Sequence, residues 1–139
     1  RDSRTFLFVG DGEANEGQVW EAAMFTAAKK ITNLVWIVDN NKKQLDGYVK
    51  DILDSGDLRA KFEAFGFEAL RIDGNDLGQL YDALTKKAED KPIAIILDTV
   101  KGRGVTEVEE TMANHSMTVA EDVFDRWLSE LNGQLEALS

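Results

Sequence analysis

Apolar and polar residues fall in blocks along this chain, and the blocks alternate between two periods. Residues 5–9 (TFLFV) form a short continuous apolar run, the pattern of a parallel strand buried on both faces. From Glu16 to about Lys30, residues Trp20, Met24, Ala27, Ala28 and Ile31 mark one helical face. Leu34 to Val38 (LVWIV) reads as a second buried strand and ends in DNN. A polar loop leads to a short helix over 57–65, capped by Ser55 or Asp57 and ended by Gly66. FEALRI (67–72) is strand-like, and DGND then supplies a turn and a cap. The helix that follows carries Leu77, Leu80, Tyr81, Leu84 and Ala88 on one face. Pro92, the one proline, precedes the buried strand IAIIL and the loop KGRG. Thr118 and Glu121 have the spacing of a capping box, opening a helix whose face holds Phe124, Leu128, Leu131, Leu135 and Leu138.

This βαβαβαβα order predicts an α/β fold: a mostly parallel, doubly wound sheet with helices on both faces. Ligands of such sheets sit at the carboxyl ends of the strands. Three loops meet that description: GDGEANEG from Gly10, DNNKKQLDG from Asp39 and KGRGVTE from Lys101.

Composition narrows the classes. The 139 residues are expected to form one domain, 1–139. There is no apolar stretch of about eighteen residues, so no membrane span is expected, and no leader pattern is visible at RDSRT. The chain has no cysteine, which excludes disulfides and thiolate metal sites and fits a reducing, cytoplasmic setting. A net charge of −10 argues against general affinity for nucleic acid. It leaves room for a local anion site made of backbone N–H groups and a bound cation. A start at Arg1 rather than methionine is the start expected of a processed product or a fragment.

The chemistry is concentrated in Gly10-Asp11-Gly12. Flanking glycines let the backbone turn sharply and approach a ligand closely, and the next helix points its N-terminal N–H groups at the same spot. A carboxylate there repels an anion unless a divalent cation lies between them, as Mg²⁺ commonly does for substrate phosphates. Alone, GDG reads as readily as a strand-to-helix turn with Asp11 as a cap. The second strand changes this. Asp39-Asn40-Asn41 lies one βαβ unit downstream, residues 13–39 separating Gly12 from Asn40, so both turns meet at one edge of the sheet. Amide and carbonyl oxygens there are hard ligands suited to Mg²⁺ or Ca²⁺.

GDG followed at this interval by NN is similar to the thiamine diphosphate motif. The stretch GDGEANEGQVWEAAMFTAAKKITNLVWIVDNNKKQLDG resembles the diphosphate-binding domain of transketolase, particularly the N-terminal subunit of split bacterial transketolases. DGND, IAIILDTV and KGRGV extend the resemblance from about Phe6 to about His115. It implies that Asp11 and the Asn41 side chain bind the divalent metal, with the main-chain oxygen of Lys43 as third ligand. It further implies that Gly12 gives its N–H to the diphosphate, that Asn41 also touches it, and that Leu45 packs near the thiazolium ring. Glu16 matches a family glutamate in a carboxylate network across the subunit interface, and reads equally as a first-turn glutamate favoured by the helix dipole. His115, the only histidine, matches the one that touches diphosphate and substrate, a proton-transfer or polarising candidate. The family's usual HG is NHSM here. Lys101 and Arg103 offer positive charge near phosphate or form a solvated loop, and Asp98 carries no functional assignment.

The implied reaction is transfer of a two-carbon ketol unit from a ketose phosphate to an aldose phosphate. A competing reading is the α subunit of a thiamine diphosphate-dependent 2-oxoacid dehydrogenase, which typically continues after NN with a YGM-like sequence instead of NNKKQLDG. A third is a non-catalytic doubly wound binding or interaction domain, but neither GxGxxG nor GxxxxGK[ST] is present. Transketolase domains carry a long segment ahead of GDG, whereas nine residues precede Gly10 here. The domain is therefore expected to be incomplete at its N-terminus and inactive alone. It is expected to need a complementary pyrimidine-binding subunit in a homo- or hetero-oligomer.

Overall fold

The apolar runs FLFV, LVWIV and IAIIL become neighbours in one sheet. The computed structural model describes residues 3–138. In chain order the elements are β1 (Thr5–Gly10), a 3₁₀ turn (Glu13–Asn15), α1 (Gly17–Ala28), β2 (Leu34–Asn40) and a small hairpin, β3 (Lys43–Gln44) with β4 (Gly47–Tyr48). Next come α2 (Val49–Ile52), α3 (Leu58–Phe65), β5 (Glu68–Asp73), α4 (Leu77–Thr85), β6 (Ile93–Asp98), α5 (Thr106–Glu110) and α6 (Glu121–Glu136). The main sheet has the order β1-β2-β6-β5, and every pairing in it is parallel. The expected α/β architecture, with helices on both faces, is present.

Period-two alternation divides the core. Trp36, Val38, Ala94 and Ile96 face α1 and α3, meeting Val19, Ala23, Leu58 and Phe62. Trp36, 1% exposed, has its ring 5.7 Å from Phe62 and 6.1 Å from Phe67. Val35, Ile37, Ile93, Ile95 and Leu97 face the other way, against Ala83, Leu80 and Leu84 of α4. Caps fix where two helices start. Asp57 accepts from the Ala60 N–H at the head of α3, while Ser55 is buried and donates to Asn15 Oδ1 at 2.7 Å. Asp76 of DGND accepts from the Gly78 and Gln79 N–H groups at the head of α4. Gly66 ends α3 at φ 100°, a left-handed position that favours glycine.

Several expectations need correction. β1 is not buried on both faces: Phe6, Leu7 and Phe8 are exposed (Phe8 61%), because β1 is an edge strand and only Val9 reaches the core. The buried stripe of α1 is Val19, Ala23 and Thr26 with Trp20 and Ala27 beside it, so Met24 and Ala28 lie outside. That segment is apolar nearly all round, and periodicity alone could not set its rotation. On α4, Leu77 and Tyr81 are exposed, and Ala88 lies past the helix end although it still packs on the core. The Thr118–Glu121 capping box does not form, since the chain stays extended through Ala120, which takes the N-cap position without a side-chain cap bond. No residue of α6 is buried, and Phe124, Leu128, Leu131, Leu135 and Leu138 are all exposed. Polar contacts hold that helix: Arg126 to Glu107 at 2.8 Å, Trp127 Nε1 to Glu107 at 3.0 Å, and Gln134 to the Gly104 carbonyl at 2.8 Å. No helix among the described residues is long and apolar enough to cross a membrane.

Candidate functional site

Parallel register places the three chemistry-bearing loops at one end of the sheet. Gly10 pairs with Asp39 across β1–β2, and Asn40 pairs with Asp98 across β2–β6. The Asp11 N–H donates to the Asp39 carbonyl at 3.0 Å, carrying the pairing one residue past β1. The Asp11 side chain thereby turns inward and is 2% exposed.

Two backbone amides meet this carboxylate. Gly12 N–H donates to Oδ1 at 2.8 Å, and Lys42 N–H donates to Oδ2 at 2.5 Å. Lys42 adopts φ 69°, a left-handed conformation unusual for a residue with a Cβ. Burial pushes the Asp11 carboxyl above the ordinary aspartate range, and nearby Asp39 adds to the effect, against the lowering influence of the two amides. Among the described residues no cationic side chain bonds to Asp11. Burial outweighs the amides and the nearby Lys42 charge, so a bound cation would favour the ionised form.

The second turn is tied just as closely. Asn41 Nδ2 donates to Asp39 Oδ2 at 2.9 Å, and Asn41 Oδ1 accepts from the Lys43 N–H at 3.0 Å. Thr99 donates its hydroxyl to Asp39 Oδ1. Lys43 Nζ reaches the Glu109 and Thr111 carbonyls, at 2.6 and 3.1 Å, docking the hairpin onto α5. Gly12 sits in αR conformation, so its need for glycine comes from space: an added Cβ would lie 2.9 Å from the Gln44 Cβ. Gln44 Nε2 next to it is buried without a hydrogen-bond partner.

The structure thus gathers Asp11, Gly12 and the turn at 41–43. Asp11 and Asn41 nonetheless open onto different cavities. Asp11 lines one of about 450 Å³ with Asn40, Lys42 and Arg71, and Asn41 lines one of about 540 Å³ with Asp39, Thr99 and Lys101. Leu45 is 64% exposed beyond β3. Glu16 is the exposed N-cap residue of α1, and its carboxylate makes no cap bond. His115 is exposed, with Nδ1 2.9 Å from Lys101 Nζ. The KGRG turn needs both its glycines, with Gly102 at φ 84° and Gly104 at φ 104°. Among the described residues no group of three or more His, Cys, Asp or Glu side chains could hold a metal. The one-carboxylate donor set of Asp11, Asn41 and the Lys43 carbonyl would escape that pattern. All three are oxygen donors of the kind hard divalent cations take, and the buried, uncompensated carboxylate fits such an ion.

Sequence reasoning passed over a second carboxylate. Asp98 takes hydrogen bonds from Asn40, Lys42 and Arg71, and Arg71 and Lys42 both line the Asp11 cavity. Its only signal in sequence was an aspartate ending an otherwise apolar strand.

The family pattern described as transketolase, thiamine diphosphate binding domain, matches residues 1–131. The chain is 38% identical over 128 residues to the 6-deoxy-6-sulfo-D-fructose transketolase subunit SqwG of Clostridium sp. (strain MSTE9), covering 91% of this chain and 46% of that protein. It is also 38% identical over 132 residues to an apulose-4-phosphate transketolase subunit of Actinobacillus succinogenes, covering 94% and 48% respectively. The chain spans about half the length of these curated relatives. The crystal structure of transketolase from Campylobacter jejuni superposes with a TM-score of 0.86 at 30% identity, over 94% of this chain and 21% of that one.

Proposed function

Because this chain belongs to the transketolase family, we propose that it forms the diphosphate-holding part of an enzyme moving a two-carbon ketol unit from a ketose phosphate to an aldose phosphate. The observation that carries the reading is the buried Asp11 carboxylate, fixed by backbone amides and bonded to no cationic side chain among the described residues. When bound, thiamine diphosphate supplies the chemistry of making and breaking the carbon–carbon bond. The chain's own residues bind and orient. Asp11, the Asn41 side chain and the Lys43 main-chain oxygen would hold Mg²⁺ or Ca²⁺, and Gly12 N–H and Asn41 would meet the diphosphate. Occupation would draw the Gly12 N–H from its present partner, Asp11 Oδ1. Leu45 would cover the thiazolium ring.

His115 would hold or move a proton at the substrate end. Its Nδ1 lies 2.9 Å from the Lys101 ammonium, which places a second polar group beside it. Glu16, exposed and without a cap bond, would join carboxylates across a subunit interface. Residues 1–139 would act as one domain in a reducing, cytoplasmic setting. A pyrimidine-binding subunit would complete the site in a homo- or hetero-oligomer, and the chain alone would be inactive. Product analysis with a complementing subunit tests the reading. Ketol transfer between sugar phosphates is the expected result. Acyl transfer from a 2-oxoacid without ketol transfer would reject it, as would full ketol transfer by the unaccompanied chain.

A further inference from the structure

Asp98 ends β6 between β2 and β5, and donors reach it from both neighbours. Its Oδ1 accepts from Asn40 Nδ2 at 2.9 Å and from Lys42 Nζ at 2.8 Å. Arg71 adds Nη2 to Oδ1 at 3.1 Å and Nε to Oδ2 at 2.6 Å. Lys42 is in turn held at three points: its ammonium on Asp98, its carbonyl accepting from the Val49 N–H at 3.0 Å, and its amide on Asp11. This residue also carries the left-handed φ of 69°. An exposed lysine–aspartate pair does little for stability by itself. Here the paired lysine also holds a backbone conformation that lysine disfavours, and its own amide makes the Asp11 bond.

We infer that Asp98 is a positioning residue for the cation site: by holding the Lys42 ammonium it fixes the turn whose amide keeps the buried Asp11 carboxylate in place. The inference rests on the reading of Asp11 as a cation ligand. It extends the charge network one step outward, as hydrogen-bonded partners of metal ligands commonly orient them. Arg71 ties β5 to the same carboxylate, so three neighbouring segments converge on the Asp11 cavity through one side chain.

The test compares the ¹⁵N-labelled chain with Asp98→Asn, Lys42→Met and the double variant. Two quantities are read: hydrogen exchange of the residue 42 amide without metal, and the dissociation constant of Mn²⁺ in the presence of thiamine diphosphate. Each single variant is expected to speed exchange at residue 42 and to weaken Mn²⁺ binding about 10-fold. The double variant is expected to be no worse than Asp98→Asn alone, because both substitutions remove the Lys42–Asp98 tie. Lys42→Met leaves the Arg71–Asp98 bond intact, which keeps the test decisive if Asp98→Asn fails to fold. Unchanged exchange in the variants, or additive losses in the double variant, would overturn the role of Asp98. Faster exchange with unchanged Mn²⁺ affinity would overturn the link to the cation site, whereas no Mn²⁺ binding by the unaltered chain even with its complementing subunit would reject the cation reading itself.

Discussion

Asp11 and Asp98 lie at the carboxyl ends of β1 and β6, the two strands that flank β2, yet their surroundings are opposite. Asp98, with 39% of its side chain exposed, is met by an arginine, a lysine and an amide. Burial works against its ionisation, but Arg71 and Lys42 prevail and hold the carboxyl below its ordinary range. Asp11 is almost fully buried, is met by two neutral backbone amides, and is held above that range. A carboxylate whose charge is already balanced by side chains serves the scaffold. One left buried without a bonded cationic side chain is the one that the proposed reading assigns to a cation from outside the chain.

Substitutions separate the two roles most clearly at Asp11. Asp11→Asn should abolish metal-dependent cofactor binding, a loss of at least about 100-fold by titration calorimetry, beyond the effect of changing an outer partner. Within the same turn, Gly12→Ala should cost about 1–3 kcal/mol in denaturant unfolding, because its Cβ would meet the Gln44 Cβ. Gly10→Ala has open space around it and should be far milder.

The pH dependence of stability should differ in sign between the two aspartates. As pH rises from below 3.8, the unfolded chain ionises Asp11 while the fold resists, so stability is lost until the folded pKa is passed. Asp98 is the reverse: its contribution is present above 3.8 and is lost as pH falls through its lower folded pKa. Relative to the unaltered metal-free chain, Asp11→Asn should therefore look more favourable at neutral pH than near pH 3. Asp98→Asn should look less favourable there, by about 1 kcal/mol after solvent screening. Urea unfolding across that range reads both. Glu16→Gln, at an exposed N-cap position without a cap bond, should change the stability of the isolated chain by no more than about 0.5 kcal/mol.

What could be read from sequence follows from the range of each interaction. Strand positions, the Asp76 cap and the Gly66 stop depend on neighbours a few residues away, and all were legible. β1 was misjudged because TFLFV and LVWIV look alike, while burial depends on which strand lies at the edge of the sheet. The rotation of α1 was hidden by VWEAAMF, which is apolar around most of its circumference. In the site, pairing of the GDG and NN turns followed from the βαβ spacing. The Asp98 cluster did not, because Lys42 and Arg71 lie 56 and 27 residues away from it and only register brings them together. Lys42 carried no signal either, since a left-handed residue there would be expected to be glycine.

The central claim is that Asp11 anchors a metal–diphosphate pair, and amide NMR of the labelled chain tests it even where binding is weak. Mg²⁺ and thiamine diphosphate added together should shift the amides of Gly12, Lys42 and Lys43. Neither alone should do so fully, and Asp11→Asn should abolish the response. Equal shifts without metal, equal shifts in Asp11→Asn, or a response at these amides to ATP or NAD in place of thiamine diphosphate would contradict it.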